Sequence, residues 1–301
     1  MRSTAPTEVG ELAAGAIREI LARATAGRSV GEYVDTESIP WRTFEEGGWD
    51  RIGASEAAGG GDATLRDLAE VAMVWGASCV PLPLLESTVV RRWSAAGRDE
   101  SGPLTVSVAA AGVTPGAGLA PFAALDGVRV ARSLGTDGDE FESSSSATDE
   151  PFAHGLRCAI LPWVTELCGD ARVELEVVWA AEAVGAAQRL LDLAVAYAKE
   201  RVQFDRPIGS FQAVKHRLSD MHIETQLAET AVLWASLEPD QAHRPVRFAL
   251  DAAIGVAQDA IQVHGAMGFT WELGLHYYLR SMLVRREMVT RTGARTGAAI
   301  A

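Results

Sequence analysis

Leu12, Ile17, Ile20 and Leu21 recur at helical spacing among Ala, Glu and Arg between Glu8 and about Thr25, which predicts an amphipathic helix. A second apolar segment carries Trp41, Phe44, Trp49 and Ile52. Ala58 to Asp62 reads AGGGD, a flexible turn, and Leu65, Leu68, Val71, Ala72 and Trp75 then mark another helix ending near Gly76. The first hundred residues are expected to be helical.

The period changes from about Leu104 to Trp163. Leu104, Val106 and Val108 alternate with small polar residues, and Val128, Val130 and Ala131 follow a turn at Asp126-Gly127, so short strands are expected. Within this region Ser133 to Glu150 is a low-complexity stretch. Asp137, Asp139, Glu140, Glu142, Asp149 and Glu150 surround Ser143 to Ser146, and a mobile loop is the expectation.

From Asp170 helix formers dominate again. Asp170 is expected to cap a helix of about 30 residues, ~45 Å long, that runs to about Val202 and is ended by Pro207 and Gly209. Ser210 then caps a helix whose Phe211, Val214, Leu218 and Met221 share one face. Two more helices follow, one over about Val246 to Gly265 and one from near Trp271 past Tyr277, Tyr278 and Leu283. Four long helices with short connections imply an antiparallel bundle. The fold class is therefore mostly α with a small β insert: a helical part over 1–103, a short β part over 104–168 and a helical bundle over 169–301.

Composition narrows the partners. At 301 residues, with 48% hydrophobic and 22% charged residues, the chain can bury a sizeable core. Its net charge of −13 and lack of a basic stripe argue against nucleic acid. The longest apolar stretch, Val71 to Leu85, is broken by Gly76, Ser78, Pro81 and Pro83, so no membrane span is expected. Glu8 and Glu11 stand where a secretory leader needs a basic then apolar run, and a cytoplasmic protein is expected. Cys79, Cys158 and Cys168 form no C-x-x-C pair, and His216 and His222 would point to different sides of a helix, so no metal is predicted.

Two segments carry candidate chemistry. The first runs Arg201-Val202-Gln203-Phe204-Asp205-Arg206-Pro207-Ile208-Gly209-Ser210-Phe211-Gln212. An Arg at a helix end beside a Gln and an aromatic ring can fork onto a pyrophosphate while the ring meets a flat partner, or the Arg and Gln can simply close the helix by bonding its last carbonyls. The second runs Gln262-Val263-His264-Gly265-Ala266-Met267-Gly268-Phe269-Thr270, followed by Glu272. Its glycines permit close backbone approach by a ligand, or serve only a tight C-cap and turn. Spacing alone leaves both pairs of readings open.

Taken together, in this order, the two segments resemble the acyl-CoA dehydrogenase family, whose patterns are R-x-Q-F-G-x-P-I-x-x-F-Q and Q-x-H-G-G-x-G-[FY]-T-x-E. The likeness runs from about Ala180 to Leu283 and, more loosely, over the first ninety residues, including Glu45 to Gly48 and Gly59 to Gly61. It implies a three-part fold assembled as a dimer or tetramer, with FAD at a subunit interface. In that family one chain's β domain holds the isoalloxazine and a neighbour's bundle contacts the pyrophosphate and adenosine. By the resemblance Arg201, Gln203, Phe204 and Gln212 stand at pyrophosphate-contacting positions, and Gln262, Val263, His264 and Gly265 at the loop that reaches the adenosine end. Asp205 replaces the family's usual Gly, and Ala266 its second Gly.

Family members remove an α proton with a Glu placed after the last bundle helix or on the first. Glu287 lies outside that motif and Glu174 and Glu176 lack its register, so all three are read as exposed helix charges and no catalytic residue is assigned to this chain. The β part is about half the usual length and lacks the flavin-contacting segments T-E-P-x-x-G-S-D and W-[IS]-[TS]. The resemblance therefore implies a subunit of a heteromeric acyl-CoA dehydrogenase of the bacterial steroid side-chain type. It would work beside a longer subunit as an α2β2 heterotetramer, oxidise a bulky acyl-CoA held in a cavity left open by the short β part, and pass electrons to an electron-transfer flavoprotein. The alternatives are a self-sufficient homo-oligomeric enzyme and a non-catalytic scaffold.

Overall fold

A computed structural model describes residues 4–34, 39–109, 118–134, 140–143, 148–150, 158–161 and 167–294. The first helix, α1 (Glu8–Thr25), and α4 (Leu65–Gly76) start side by side on one carboxylate. Asp67 accepts from the Thr7 and Thr64 amides at 2.6 and 2.8 Å and from both hydroxyls, so a single side chain satisfies orphan donors at both helix starts. Between them lie the short helices α2 (Val30–Tyr33) and α3 (Arg42–Glu46), and α5 (Leu84–Trp93) and α6 (Ala95–Asp99) complete the amino-terminal part.

The strands are short: β1 (Leu104–Val106), β2 (Val108–Ala109), β3 (Gly118–Pro121), β4 (Arg129–Ala131), β5 (Phe141–Ser143), β6 (Thr148–Glu150) and β7 (Cys158–Leu161). One sheet has the order β1-β4-β5, with β1 parallel to β4, and the other the antiparallel order β2-β3-β7-β6. The acidic stretch expected to be a loop contributes β5 and β6, a correction with a local cause. Arg132, beyond the end of β4, pairs with Glu140 and Glu142, supplying the counter-charge the stretch itself lacks. Residues 135–139 and 144–147 of that stretch lie outside the described residues.

The bundle is built from α7 (Gly169–Glu200), α8 (Gln212–Leu237), α9 (His243–His264) and α10 (Leu275–Ala294). Two expected caps are not used. The N-cap of α7 is Cys168, with Asp170 inside the first turn, and that of α8 is Phe211 with no side-chain cap, because Ser210 is taken up in a preceding 3-10 turn.

The central element is α7. Every residue from Glu174 to Ala187 is buried, so the helix is wrapped by α4, α8, α9 and α10 rather than showing one face to water. Gly76 and Gly185 allow the crossing of α4 over α7. A Cβ on Gly76 would lie 1.8 Å from the Glu182 carbonyl oxygen and one on Gly185 would lie 1.8 Å from that of Met73, so the two backbones touch. Among the described residues no helix is long and apolar enough to cross a membrane, and no group of His, Cys, Asp or Glu could hold a metal ion.

Candidate functional site

The segment after α7 folds as a two-residue hairpin, β8 (Val202–Gln203) against β9 (Arg206–Pro207), with Val202 opposite Pro207 and Gln203 opposite Arg206. Its two turn residues, Phe204 and Asp205, have φ of 52° and 63°, the left-handed pair of a type I′ turn. Asp205 thus occupies the family's glycine position for a backbone reason, and Asp is among the few side chains that visit this region at low cost.

The hairpin displays its polar and aromatic groups outward. Arg201 through Pro207 are all exposed, and the Phe204 ring is 85% exposed, meeting Phe211 edge-on at 6.0 Å. Arg206 lies over the Phe211 ring at 4.1 Å. The Arg201 amide donates to the Tyr197 carbonyl at 2.9 Å and ends the helix. Its guanidinium has no hydrogen bond or ion pair among the described residues, so it does not close the helix terminus. The Gln203 amide donates at 2.9 Å to the carbonyl of Val202, its own neighbour. Gln212, also exposed, opens α8.

The second segment ends α9 at the same end of the bundle. Gln262 is exposed and Val263 half-buried, while His264 is buried and stacks on Tyr197 of α7 at 4.5 Å. His264 Nδ1 donates to the Ala260 carbonyl at 2.7 Å, which fixes the neutral tautomer, and burial pushes its pKa down. Tyr197 thus links both segments, stacking on one and accepting the amide that ends the helix before the other. The two glycines do different work. Gly265 has φ 60° and ψ −137°, a conformation open to glycine alone, and a Cβ on Gly268 would lie 2.5 Å from the Ile261 carbonyl oxygen. Ala266 meets neither constraint. Met267, Phe269 and Trp271 beyond them are exposed, Phe269 by 71%.

Where α5, α7, α10 and the turn after β3 meet, the structure holds a cluster that the sequence did not disclose. Arg285 donates from Nε to Glu182 at 2.8 Å and from Nη1 to Glu86 at 2.5 Å, and Trp179 Nε1 donates to the same Glu86 oxygen at 2.9 Å. The guanidinium also lies 5.4 Å from the Phe122 ring centroid. Burial pushes the Glu182 carboxyl up and Arg285 opposes it. Phe122, Trp179, Glu86 and Arg285 have at most 1% of their surface accessible, so the cluster is closed to bulk solvent, with Glu86 Oε2 and Arg285 Nη2 left without a hydrogen bond among the described residues.

The two acids at the start of α7 are not the exposed charges expected. Glu174 pairs with Arg92 at 3.1 Å and accepts from Trp93 Nε1 at 2.8 Å, at the edge of a cavity of about 600 Å³ between α5, the start of α7 and the α8–α9 link. Glu176 is buried and accepts from the Thr292 hydroxyl at 2.5 Å, and burial raises the pKa of both carboxyls. Spacing misled because a helix wrapped on all sides also buries its charged positions, here where Arg92, Trp93 and Thr292 from other elements pair them. Glu287 does behave as a helix surface charge, paired one turn on with Arg291.

Residues 175–288 match the family model of the acyl-CoA dehydrogenase C-terminal domain. Over 87% of this chain and 91% of the relative, the sequence is 31% identical to the acyl-CoA dehydrogenase IpdE2 of Mycolicibacterium smegmatis. The fold is that of the ChsE4-ChsE5 complex from Mycobacterium tuberculosis, at a TM-score of 0.77 and 20% identity over 97% of this chain and 96% of that one. The Tcur3481-Tcur3483 steroid ACAD superposes at a TM-score of 0.73 and 21% identity, over 95% and 96%.

Proposed function

The chain belongs to the acyl-CoA dehydrogenase family, and from that premise we propose that it serves as one subunit of a heteromeric FAD-dependent enzyme that oxidises an acyl-CoA thioester between its α and β carbons. FAD, when bound, accepts the β hydrogen as hydride while a carboxylate takes the α proton. This chain's part is to grip the pyrophosphate and adenosine of a cofactor whose isoalloxazine rests on a longer partner. The observation that carries the reading is the hairpin: a guanidinium without a partner among the described residues, an exposed Gln and a Phe ring facing solvent, on a tight left-handed turn at the bundle's end. Such groups fit a diphosphate flanked by flat rings. Arg201, Gln203, Phe204 and Gln212 make those contacts in this reading. Gln262, Val263 and the Gly265 backbone meet the adenosine, and buried His264 holds their loop against α7.

A β part too short to cradle a flavin supports placing the isoalloxazine and the acyl group in the partner. Two of the similar structures are complexes named for two different proteins, one of them a steroid ACAD, which supports an α2β2 heterotetramer and a bulky acyl group. An electron-transfer flavoprotein is the proposed acceptor. A second reading, a self-sufficient enzyme, is favoured by Glu174, a raised carboxyl at a cavity edge. That cavity is lined by the amino-terminal helices and the α8–α9 link and by no strand residue, so a flavin on the β part would not face it.

The test is expression alone and with a longer dehydrogenase subunit that retains the catalytic Glu and the flavin-contacting segments. A colourless chain alone, and a yellow complex that reduces an acceptor dye with a steroid-carboxyl-CoA, are expected. A chain that is yellow and active by itself, and that loses activity on Glu174→Gln, would establish the second reading instead.

A further inference from the structure

A separate cavity of about 400 Å³ lies between α1, α2, the end of α4, α7 and the turn before α10. Its charge is anomalous. Acids outnumber bases 40 to 27 along the chain, yet Arg18, Arg28 and Arg189 line this cavity and no carboxylate does. They come from three separate elements, so no local repeat explains their convergence.

Neither Arg18 nor Arg189 has an ion pair or hydrogen bond among the described residues, although the chain's other cavity-lining arginines, Arg66 and Arg92, are paired with Glu70 and Glu174. Arg28 donates to the Glu32 carbonyl at 2.5 Å and lies 5.8 Å from the Tyr33 ring centroid. Tyr33 and Tyr278 form part of the floor, and their hydroxyls donate to the carbonyls of Ser78 and Ala77 at 2.5 and 3.0 Å. Burial pushes both hydroxyls up, and Arg189 is close enough to both to oppose it. The remaining floor is apolar, supplied by Leu21, Val30, Val74, Leu193 and Leu273.

One wall is held fixed. A Cβ on Gly31 would lie 1.9 Å from the Trp271 carbonyl oxygen, and one on Gly274 would lie 2.5 Å from the Gly31 amide nitrogen, while the Ser29 hydroxyl donates to the Glu272 carbonyl. The cavity is therefore bounded by packed backbone on the side next to the loop that follows α9.

We propose that this cavity binds an amphipathic anion, a carboxylate or phosphate monoester on an apolar chain, with the head group among Arg18, Arg28 and Arg189 and the chain on the Leu and Tyr floor. Arg18 and Arg189, which have no ion pair or hydrogen bond among the described residues, set the sign of the head group, since an amine would meet repulsion from both and an alcohol would leave their charge uncompensated. Arg28, already engaged by the Glu32 carbonyl and close to its carboxylate, adds to the positive rim. The volume and the apolar floor set the size of the body.

Titration calorimetry of the purified chain with decanoate, decyl phosphate, decanol and decylamine tests this. Saturable binding of decanoate or decyl phosphate is expected about tenfold or more tighter than decanol, with decylamine weakest, and the ratio of the two anions tells a carboxylate from a phosphate ligand. The double variant Arg18→Gln/Arg189→Gln should weaken the anions by about tenfold or more and leave the decanol affinity unchanged. Both arginines are exposed, so an unchanged far-UV spectrum and melting temperature are expected of the variant. Equal binding of decanol and decanoate, anion binding unmoved by the variant, or no saturable anion binding would each overturn the proposal.

Discussion

Arg285 Nε donates to Glu182 Oε2 at 2.8 Å, tying the last helix to the longest one at a point that water does not reach. The same guanidinium reaches Glu86, so one cation holds two carboxylates from two further helices. Its removal would strand both.

Arg285→Met should therefore lower the unfolding free energy by about 3–5 kcal/mol, the cost of uncompensated buried charge. The triple variant Glu86→Leu/Glu182→Leu/Arg285→Met should recover most of that loss, because an apolar core needs no pairing. Urea unfolding of the three proteins is the measurement, and a triple variant no more stable than the single one would show that the cluster matters for shape rather than charge.

Glu176 gives stability a pH dependence with a defined sign. Burial raises its folded pKa above the ordinary 4.5, so the native state binds more protons than the unfolded one between those two values. Its contribution is fully present below the unfolded value and is lost as pH rises through the folded value. Glu176→Gln, still able to hydrogen-bond Thr292, should flatten the decline of the urea midpoint over this window. A parallel decline in both proteins would mean that Glu176 titrates normally.

Arg201→Ala should leave the fold untouched, since the side chain is exposed and has no partner among the described residues, but should weaken flavin retention in the assembled complex. Loss of a charge-assisted contact worth about 1.5–3 kcal/mol corresponds to roughly a ten- to hundredfold weaker affinity. Flavin absorbance per complex after gel filtration reads it, and full retention would remove Arg201 from the site.

Asp205→Gly separates backbone from charge at the hairpin tip. If the residue answers only to its φ of 63°, Gly there leaves flavin affinity within about twofold. Asp205→Val should cost about 1–2 kcal/mol, because a β-branched side chain resists the left-handed region. Markedly tighter flavin binding by Asp205→Gly would mean that the carboxylate faces the pyrophosphate after all.

Helices were legible where one face is wet. Leu12, Ile17, Ile20 and Leu21 gave α1 its true ends, and the AGGGD turn placed the start of α4. The site hairpin was legible as a motif but not as a hairpin, since Pro207 and Gly209 suggest a helix stop rather than two paired residues on either side of a turn. The buried acids were not legible at all. Glu182 finds Arg285 103 positions away and Glu86 finds it 199 away, and local spacing carries no trace of such pairs. The cavity of three arginines escaped for the same reason, as Arg18, Arg28 and Arg189 each sit in unremarkable sequence.

The crossing at Gly76 and Gly185 has a consequence for how this sequence can change over generations. Every one of the other nineteen amino acids carries a Cβ, so neither site has a mild intermediate through which a lineage could pass. Relief at one helix would require the other to retreat, and with it the buried cluster one turn away at Glu182. The two positions are thus expected to behave as a single inherited unit, whose changes lower the amount of folded protein rather than the activity of each folded molecule. Exposed Gly27, with open space around it, should accept change at the cost of its left-handed turn alone.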